Sequence, residues 1–410
     1  MRLVLIVPRF PRVSETFIVN KFVGLIDAGW DVHIVCQKAL MEEWEHFPSL
    51  AGRPELKTRV HEQWRHEPRL VALILWLPAF LATLVRAPRG MVRYWHAVQS
   101  RFGRRSIKQF YMDATVVGLQ PDILHFEFGA LAVGRTYLKA ALGCCLSVSF
   151  RGYDISYAGL ENPDHYTPLW EAADALHVLG HDLWQRTLRR GCPPDKLHML
   201  IPPAIDVDFF NISQSERPLV LINPDRPLRI LSVGRLEWVK GYEYSLRAAQ
   251  LLSERGVPFE YRIIGDGAYL EPLAFARHEM GLEADVQFLG SRSHSDVLEQ
   301  MGWADVFLHA SVSEGFCNAV LEAQAMQLPV VSSNADGLAE NVVDGRTGFI
   351  VPRRDPAALA DRLTDLAGDP ALRCEMGCAG RERVEACFGL PQQIAAFDRF
   401  YREMVASRAC

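Results

Sequence analysis

Ser313-Glu314-Gly315-Phe316-Cys317-Asn318-Ala319-Val320-Leu321-Glu322-Ala323 holds two carboxylates eight residues apart. The first stands on a glycine-containing turn and the second inside an alanine-rich helical run. The segment before it, Ala304-Asp305-Val306-Phe307-Leu308-His309, reads as a strand. Strand, tight turn and helix therefore follow one another. In that order the backbone N–H groups of about residues 315–320 point out of a helix N-terminus, which suits a phosphate through free donors and a favourable dipole. Glu322 lies one helical turn beyond Asn318, and Glu314 precedes the helix, so the two carboxylates can flank one bound molecule. Carboxylates accept hydrogen bonds from hydroxyl pairs. Two hydroxyl-binding acids around a phosphate cradle describe a nucleotide-sugar site.

Outward from this element, strands are expected near 228–233, 259–264, 285–289, 304–309, 328–332 and 348–351. An earlier set is expected at 2–7 (closed by Pro8), 31–36, and near 122–126, 145–150, 174–179 and 197–201. A helix from about Glu15 to Ala28 follows the first strand, with Ser14 as its N-cap. Strands alternating with helical stretches predict parallel, doubly wound α/β sheets. A proline-rich stretch of low periodicity, Pro202 to Pro227, separates the two sets, and residues 391–410 read as a helix.

A chain of 410 residues is comfortable for two domains, and its 49% hydrophobic content allows two cores. A formal net charge of −5 gives no global field for nucleic acid. Nine cysteines without framework spacing point to a reducing cytoplasm. Cys374 and Cys378 read as ordinary buried thiols. Residues 2–8 read as a first strand and not as a leader. Residues 37–112 depart from the alternation, with four tryptophans and many arginines. Leu70 to Val85 is nearly all apolar but holds Pro78 and is too short to span a bilayer. Flanked by Arg65, Arg69, Arg86, Arg89 and Arg93, it reads as an interfacial patch for anionic lipid or as helices covering one sheet face.

Five motifs now carry a resemblance. Beside the Glu-x7-Glu element stand Val233-Gly234-Arg235-Leu236-Glu237-Trp238-Val239-Lys240-Gly241, Ile263-Ile264-Gly265-Asp266-Gly267 and Val286-Gln287-Phe288-Leu289-Gly290. The fifth is Glu340-Asn341-Val342-Val343-Asp344-Gly345-Arg346-Thr347-Gly348-Phe349. In this order across 229–352 they resemble the family 4 retaining glycosyltransferases. Phe10-Pro11-Arg12-Val13-Ser14-Glu15-Thr16-Phe17-Ile18 looks like the colanic acid and amylovoran exopolysaccharide branch. The resemblance implies the GT-B fold, two Rossmann-like domains facing a central cleft. It implies an acceptor domain at 1–205 with a helical insertion at 37–112, and a linker at 206–227. A nucleotide-sugar domain at 228–390 and a helix at 391–410 crossing back complete it. It also implies cytoplasmic, membrane-associated transfer from a nucleotide-diphosphate sugar to a glycan, lipid-linked or small-molecule acceptor. No further cofactor and no nucleic acid are involved.

Arg235 and Lys240 follow a strand ending at Gly234, so both project where doubly wound sheets bind ligands. Two fixed cations there stabilise a departing diphosphate. The resemblance assigns Glu322 to ribose hydroxyls and Glu314 to the donor sugar. Gly315, Phe316, Cys317, Asn318, Ala319 and Val320 form the cradle, with Gly234 and Ser291 beside the donor. His125 stands where the family has a histidine near the reacting sugar. Glu127 and Arg151 replace two further histidines of many relatives, and a permanent cation at Arg151 cannot shuttle protons. Ser14, Glu15, Glu127, Arg151 and Asp154 fall to the acceptor side, with Asp154 orienting Arg151 and with Arg9 and Arg12 as contacts to acceptor phosphate. Asp206-Val207-Asp208 spells a D-x-D but lies in the interdomain segment, so no metal site is expected. Two rival readings are a nucleotide-sugar-binding subunit without acceptor chemistry and a sugar-nucleotide epimerase of the same fold.

Overall fold

The computed structural model describes residues 1–12, 15–63, 69–211 and 219–408. They form two compact units, Met1–Ile201 with Leu390–Cys410, and Pro202–Gly389. The stretch 206–227 belongs to the second unit and the terminal helix to the first.

Unit 1 carries β1 (Arg2–Phe10), β2 (Asp31–Ala39), β3 (Val60–Glu62), β4 (Ile123–Phe126), β5 (Cys145–Phe150), β6 (Ala175–Val178) and β7 (His198–Leu200). All pair in parallel in the order β3-β2-β1-β4-β5-β6-β7. Both faces are covered, so the strands are near-continuous apolar runs: β4 and β5 are buried throughout. The helix Leu390–Arg408 contributes Phe397, Phe400, Tyr401 and Met404 to the core that holds Leu3, Leu5, Phe22 and Ile34. β3 was not expected. Three residues at a sheet edge give no periodicity to read.

Within 37–112 the helices Arg69–Arg86 and Pro88–Phe102 precede Ser106–Leu119. Tyr94, Phe80 and Trp95 meet Phe110 edge-on, so one apolar face is internal. The other is bare: Ile74, Leu77, Leu81, Leu84 and Val85 are exposed along Arg69–Arg86, and Val85 is 82% accessible. Arg65 lies outside the described residues.

Unit 2 carries β8 (Leu228–Val233), β9 (Phe259–Ile264), β10 (Val286–Gly290), β11 (Val306–His309), β12 (Val330–Ser333) and β13 (Gly348–Val351). Their order is β10-β9-β8-β11-β12-β13, again all parallel. In each unit the strand order reverses once, between β1 and β4 and between β8 and β11. At such a point the connections diverge and leave a crevice beyond the carboxyl ends of the strands.

Candidate active site

The crevice of unit 2 is built by close backbone contacts. Past β8, the loop Gly234–Gly241 lies on the loop after β9, with Leu236 N–H donating to Asp266 O at 2.9 Å. A Cβ on Gly265, at φ +146°, would stand 1.9 Å from Gly234 O, so only glycine permits this approach. The loop then docks on the segment after β11, where Val312 N–H donates to Val239 O at 2.8 Å. A short 3-10 turn, Trp238–Lys240, thereby swings Lys240 over Glu314. Its ammonium hydrogen-bonds Glu314 Oε2. Ser311 Oγ and His309 Nε2 each lie 3.5 Å from the same oxygen. Burial alone would raise Glu314, but the Lys240 and His309 charges bring it down to about 2. Burial likewise opposes a charged His309. Its neighbours Cys317 and Glu314 outweigh this and hold it up at about 9.

The helix Asn318–Ala325 follows, and no side chain caps its N-terminus. Its first N–H groups have no intrahelical acceptor and remain available. Cys317 is different: its N–H donates to Asn341 Oδ1 at 3.1 Å and its O accepts from Asn341 Nδ2 at 2.9 Å. Cys317 is therefore clamped and withdrawn from the expected cradle. Phe316 and Val320 belong to the apolar cluster under the helix, with Phe316 5.8 Å from the Phe388 ring, so their side chains serve packing. Gly315 is buried beneath Gly337, whose own Cβ would stand 2.0 Å from Gly315 O. Asn318 and Ala319 are half-buried at the mouth. Glu322, also half-buried, has no ionic or hydrogen-bonding partner among the described residues, and burial pushes its carboxyl up to about 7. Arg235 extends into solvent on a 2.7 Å pair with Glu237. Ser291 is exposed just past β10. The structure thus joins Lys240 to Glu314 and leaves Arg235 outside that pair, in solvent with Glu237.

Unit 1 holds the remaining candidates, and most are interior. His125 is wholly buried. Its Nδ1 meets Ser147 Oγ at 2.8 Å, and its Nε2 meets Ser149 Oγ at 2.8 Å and Lys21 Nζ at 3.1 Å. Phe400 and Tyr401 of the terminal helix stand edge-on to its ring. Burial, with Lys21 and Arg151 nearby, holds it neutral, well below the usual imidazole range. The expected catalytic histidine has no face open to a substrate. Glu127 is equally buried, bonded to Lys21 Nζ at 2.6 Å and Arg151 Nη2 at 3.1 Å. It is a counter-ion and not an acceptor ligand. Asp154 holds Arg151 through its backbone, accepting from the N–H groups of Arg151 and Ala130 at 3.0 and 2.9 Å. Arg151 itself lies 3.7 Å over the Phe17 ring. Glu15 takes a 3.0 Å bond from Arg12 while its Oε2 is buried without a partner, and that burial raises its carboxyl. Ser14 lies outside the described residues.

Residues 215–383 match the family described as glycosyl transferases group 1. The amylovoran biosynthesis glycosyltransferase AmsK of Erwinia amylovora is 30% identical over 95% of this chain and 96% of its own. WcaL of Salmonella typhimurium, named for colanic acid biosynthesis, is 31% identical over 88% and 89%. The chain belongs to the group 1 glycosyltransferases. The structure of HepE from Anabaena in complex with UDP superposes at a TM-score of 0.72, with 16% identity over 98% of this chain and 99% of the other. The fold of this group 1 enzyme is GT-B.

Sequence reading missed His309, Ser311 and Asn341. His309 closes the strand that leads into Glu314 and Ser311 follows by two, a signal that was present but unused. Asn341 acts across 24 residues, which no local pattern shows. His309, Glu314 and Cys317 also form a group of metal-ligand types with one donor atom each, all within 4.8 Å of one another. The Lys240 ammonium already sits on the same Glu314 oxygen, so a divalent ion there would meet a fixed positive charge. Asp206 Oδ1 closes a local turn, accepting from Asp208 N and Phe209 N at 3.1 and 3.0 Å.

Proposed function

We propose that this glycosyltransferase moves a sugar, with retention, from a nucleotide-diphosphate sugar to a glycan or lipid-linked acceptor in exopolysaccharide assembly. The Lys240–Glu314 pair at the mouth of an uncapped helix, with the unpartnered Glu322 one turn inside, carries this reading. An ammonium and free N–H groups fit a diphosphate. A desolvated carboxylate without donors fits a ribose diol, which would restore its hydrogen bonds. Glu314, kept ionised, accepts from a hydroxyl of the transferred sugar. As the glycosidic bond breaks, charge grows on the diphosphate, and Lys240 and Arg235 stabilise it without a divalent ion. His125, sealed in the core, does not serve as base. A donor phosphate oxygen then takes the acceptor proton on the face the leaving group vacates. AmsK, named for amylovoran synthesis, supports the polymer context, and the UDP held by HepE makes uridine diphosphate the first probe.

The bare apolar face of Arg69–Arg86, next to the exposed Arg86, Arg89 and Arg93, fits an anionic bilayer surface. Among the described residues no helix is long and apolar enough to cross a membrane. The burial of His125 also suits a binding subunit without acceptor chemistry. Incubation with a nucleotide sugar and no acceptor separates the two readings. Slow release of sugar with retained anomeric configuration is expected, and nucleotide binding with no release over days would favour the subunit.

A further inference from the structure

Unit 1 contains a second charged centre, away from the groups above. A cavity of about 650 Å³ opens beyond the carboxyl ends of β1 and β2, lined by Arg9, Lys38, Arg105, Lys108 and Arg135. Phe102 and Met112 supply its apolar wall. Arg9 and Lys38 are register partners on adjacent strands, where two like charges side by side are unfavourable. Arg9, Lys38, Arg105 and Lys108 are exposed and make no ion pair among the described residues. Asp113 is the single carboxylate among the described residues that line the cavity. Its Oδ2 is taken by Tyr94, Tyr137 and Gln109, and its Oδ1 lies 3.6 Å from Arg135 Nη2. That nitrogen is buried and makes no hydrogen bond among the described residues. The sequence from Arg69 to Met112 holds eight lysines and arginines and no acid.

Four cations without an ion pair among the described residues line one cavity, beside an Arg135 guanidinium that only Asp113 balances, and they ask for a multiply charged anion. A single carboxylate would leave most of that charge unmatched. A diphosphate brings at least two charges and enough oxygens for several guanidinium and ammonium donors. The cavity is larger than a diphosphate and falls in the range of sites that hold a whole small ligand, so an attached sugar also fits. We propose that this cavity binds a diphosphate group of the acceptor. The proposal rests on the glycosyltransferase reading above and names the acceptor's chemical class.

The test uses the full chain carrying Arg235→Ala and Lys240→Ala, which disables the donor centre, and titrates it with inorganic pyrophosphate in a calorimeter. Saturable one-to-one binding is expected. It should weaken about tenfold in Arg105→Gln/Lys108→Gln, and similarly in Arg9→Gln/Lys38→Gln on the opposite wall. The exposed control pair Arg189→Gln/Arg399→Gln, outside the cavity, should leave it unchanged. Phosphatidylcholine vesicles with and without a polyprenyl diphosphate identify the source of the group. Cavity-dependent capture by the doped vesicles alone means a lipid-linked diphosphate, whereas binding of pyrophosphate without capture means a soluble one. Absence of saturable binding, or equal losses in the control pair, overturns the proposal. Uridine diphosphate binding to the chain with an unaltered donor centre is the second readout. If it is observed while the donor-disabled chain with an intact cavity binds no pyrophosphate, the cavity assignment fails and the donor reading stands. If uridine diphosphate never binds, the donor reading fails instead.

Discussion

Each unit holds a lysine, a glutamate and a histidine at its topological switch point, and the two trios have opposite fates. In unit 1, Lys21 and Glu127 meet at 2.6 Å beside His125 of β4. In unit 2, Lys240 and Glu314 meet beside His309 of β11. β4 and β11 occupy equivalent places, each the first strand past the reversal. The difference is the cover. Phe397 stands 3.9 Å from Lys21 Nζ, and the side chains of Lys21 and Glu127 are 2% and 0% accessible. Those of Lys240 and Glu314 are 13% and 16% accessible at an open mouth. The same three residue types form an internal strut when an apolar helix seals them. Left open next to an uncapped helix N-terminus, they stay accessible and form the donor centre proposed above.

The comparison breaks most visibly in stability. Lys21→Met should destabilise unit 1 by about 3 kcal/mol, because it leaves the buried Glu127 carboxylate with Arg151 as its remaining ionic partner. Lys240→Met should change stability by less than about 1 kcal/mol, since water reaches Glu314. Denaturant titration of both variants measures the contrast, and equal losses would erase it. The pair Lys21→Met/Glu127→Gln should recover part of the loss by removing the buried charge that Lys21 had balanced.

A smaller effect sharpens the roles within the open centre. Glu322→Gln should weaken uridine diphosphate binding about tenfold, because it removes a charged acceptor from the ribose. Glu314→Gln should leave nucleoside diphosphate affinity within about threefold and lower turnover of the full donor. Titration of uridine diphosphate against both variants decides, and equal losses would show the division of roles to be wrong.

The smallest expected effect is a pH dependence. Glu322 is lifted to about 7 in the fold, above the usual carboxyl range. The folded chain therefore binds more protons than the unfolded chain between about 4.5 and 7, so this group's contribution to stability declines as pH rises through that window. Nucleotide binding has the opposite sign, because the ionised carboxylate is the better acceptor. Affinity should rise several-fold between pH 6 and 8 in the wild type relative to Glu322→Gln, which corrects for titration of the phosphate itself. Parallel profiles for the two proteins would remove Glu322 from the ribose.

The contrast between the units also shows what a sequence displays. Both sheets were legible, because buried parallel strands are unbroken apolar runs between turn signals. Glu314, Glu322 and Lys240 were legible because the local order strand, turn, helix places them. The error lay with His125. Its strand position was read correctly, but its lid comes from Phe400 and Tyr401, some 275 residues later, and no pattern near His125 announces them. The cradle was read one residue too generously for a related reason: the Cys317 N–H is claimed by Asn341 from a distant turn. The cationic cavity gathers residues from four separate stretches, of which only Arg9 was singled out beforehand. Contacts local in sequence were readable, and closure from afar was not.

The most direct measurement is uridine diphosphate binding to Lys240→Ala, followed by calorimetry, with a thermal melt run alongside. Removing the ammonium deletes a charge-assisted bond to phosphate and leaves the Glu314 carboxylate facing the ligand. Affinity should drop about 10- to 100-fold, with the melting temperature close to that of the wild type. Wild-type affinity in a well-folded Lys240→Ala protein would contradict the assignment of the open centre to the donor diphosphate.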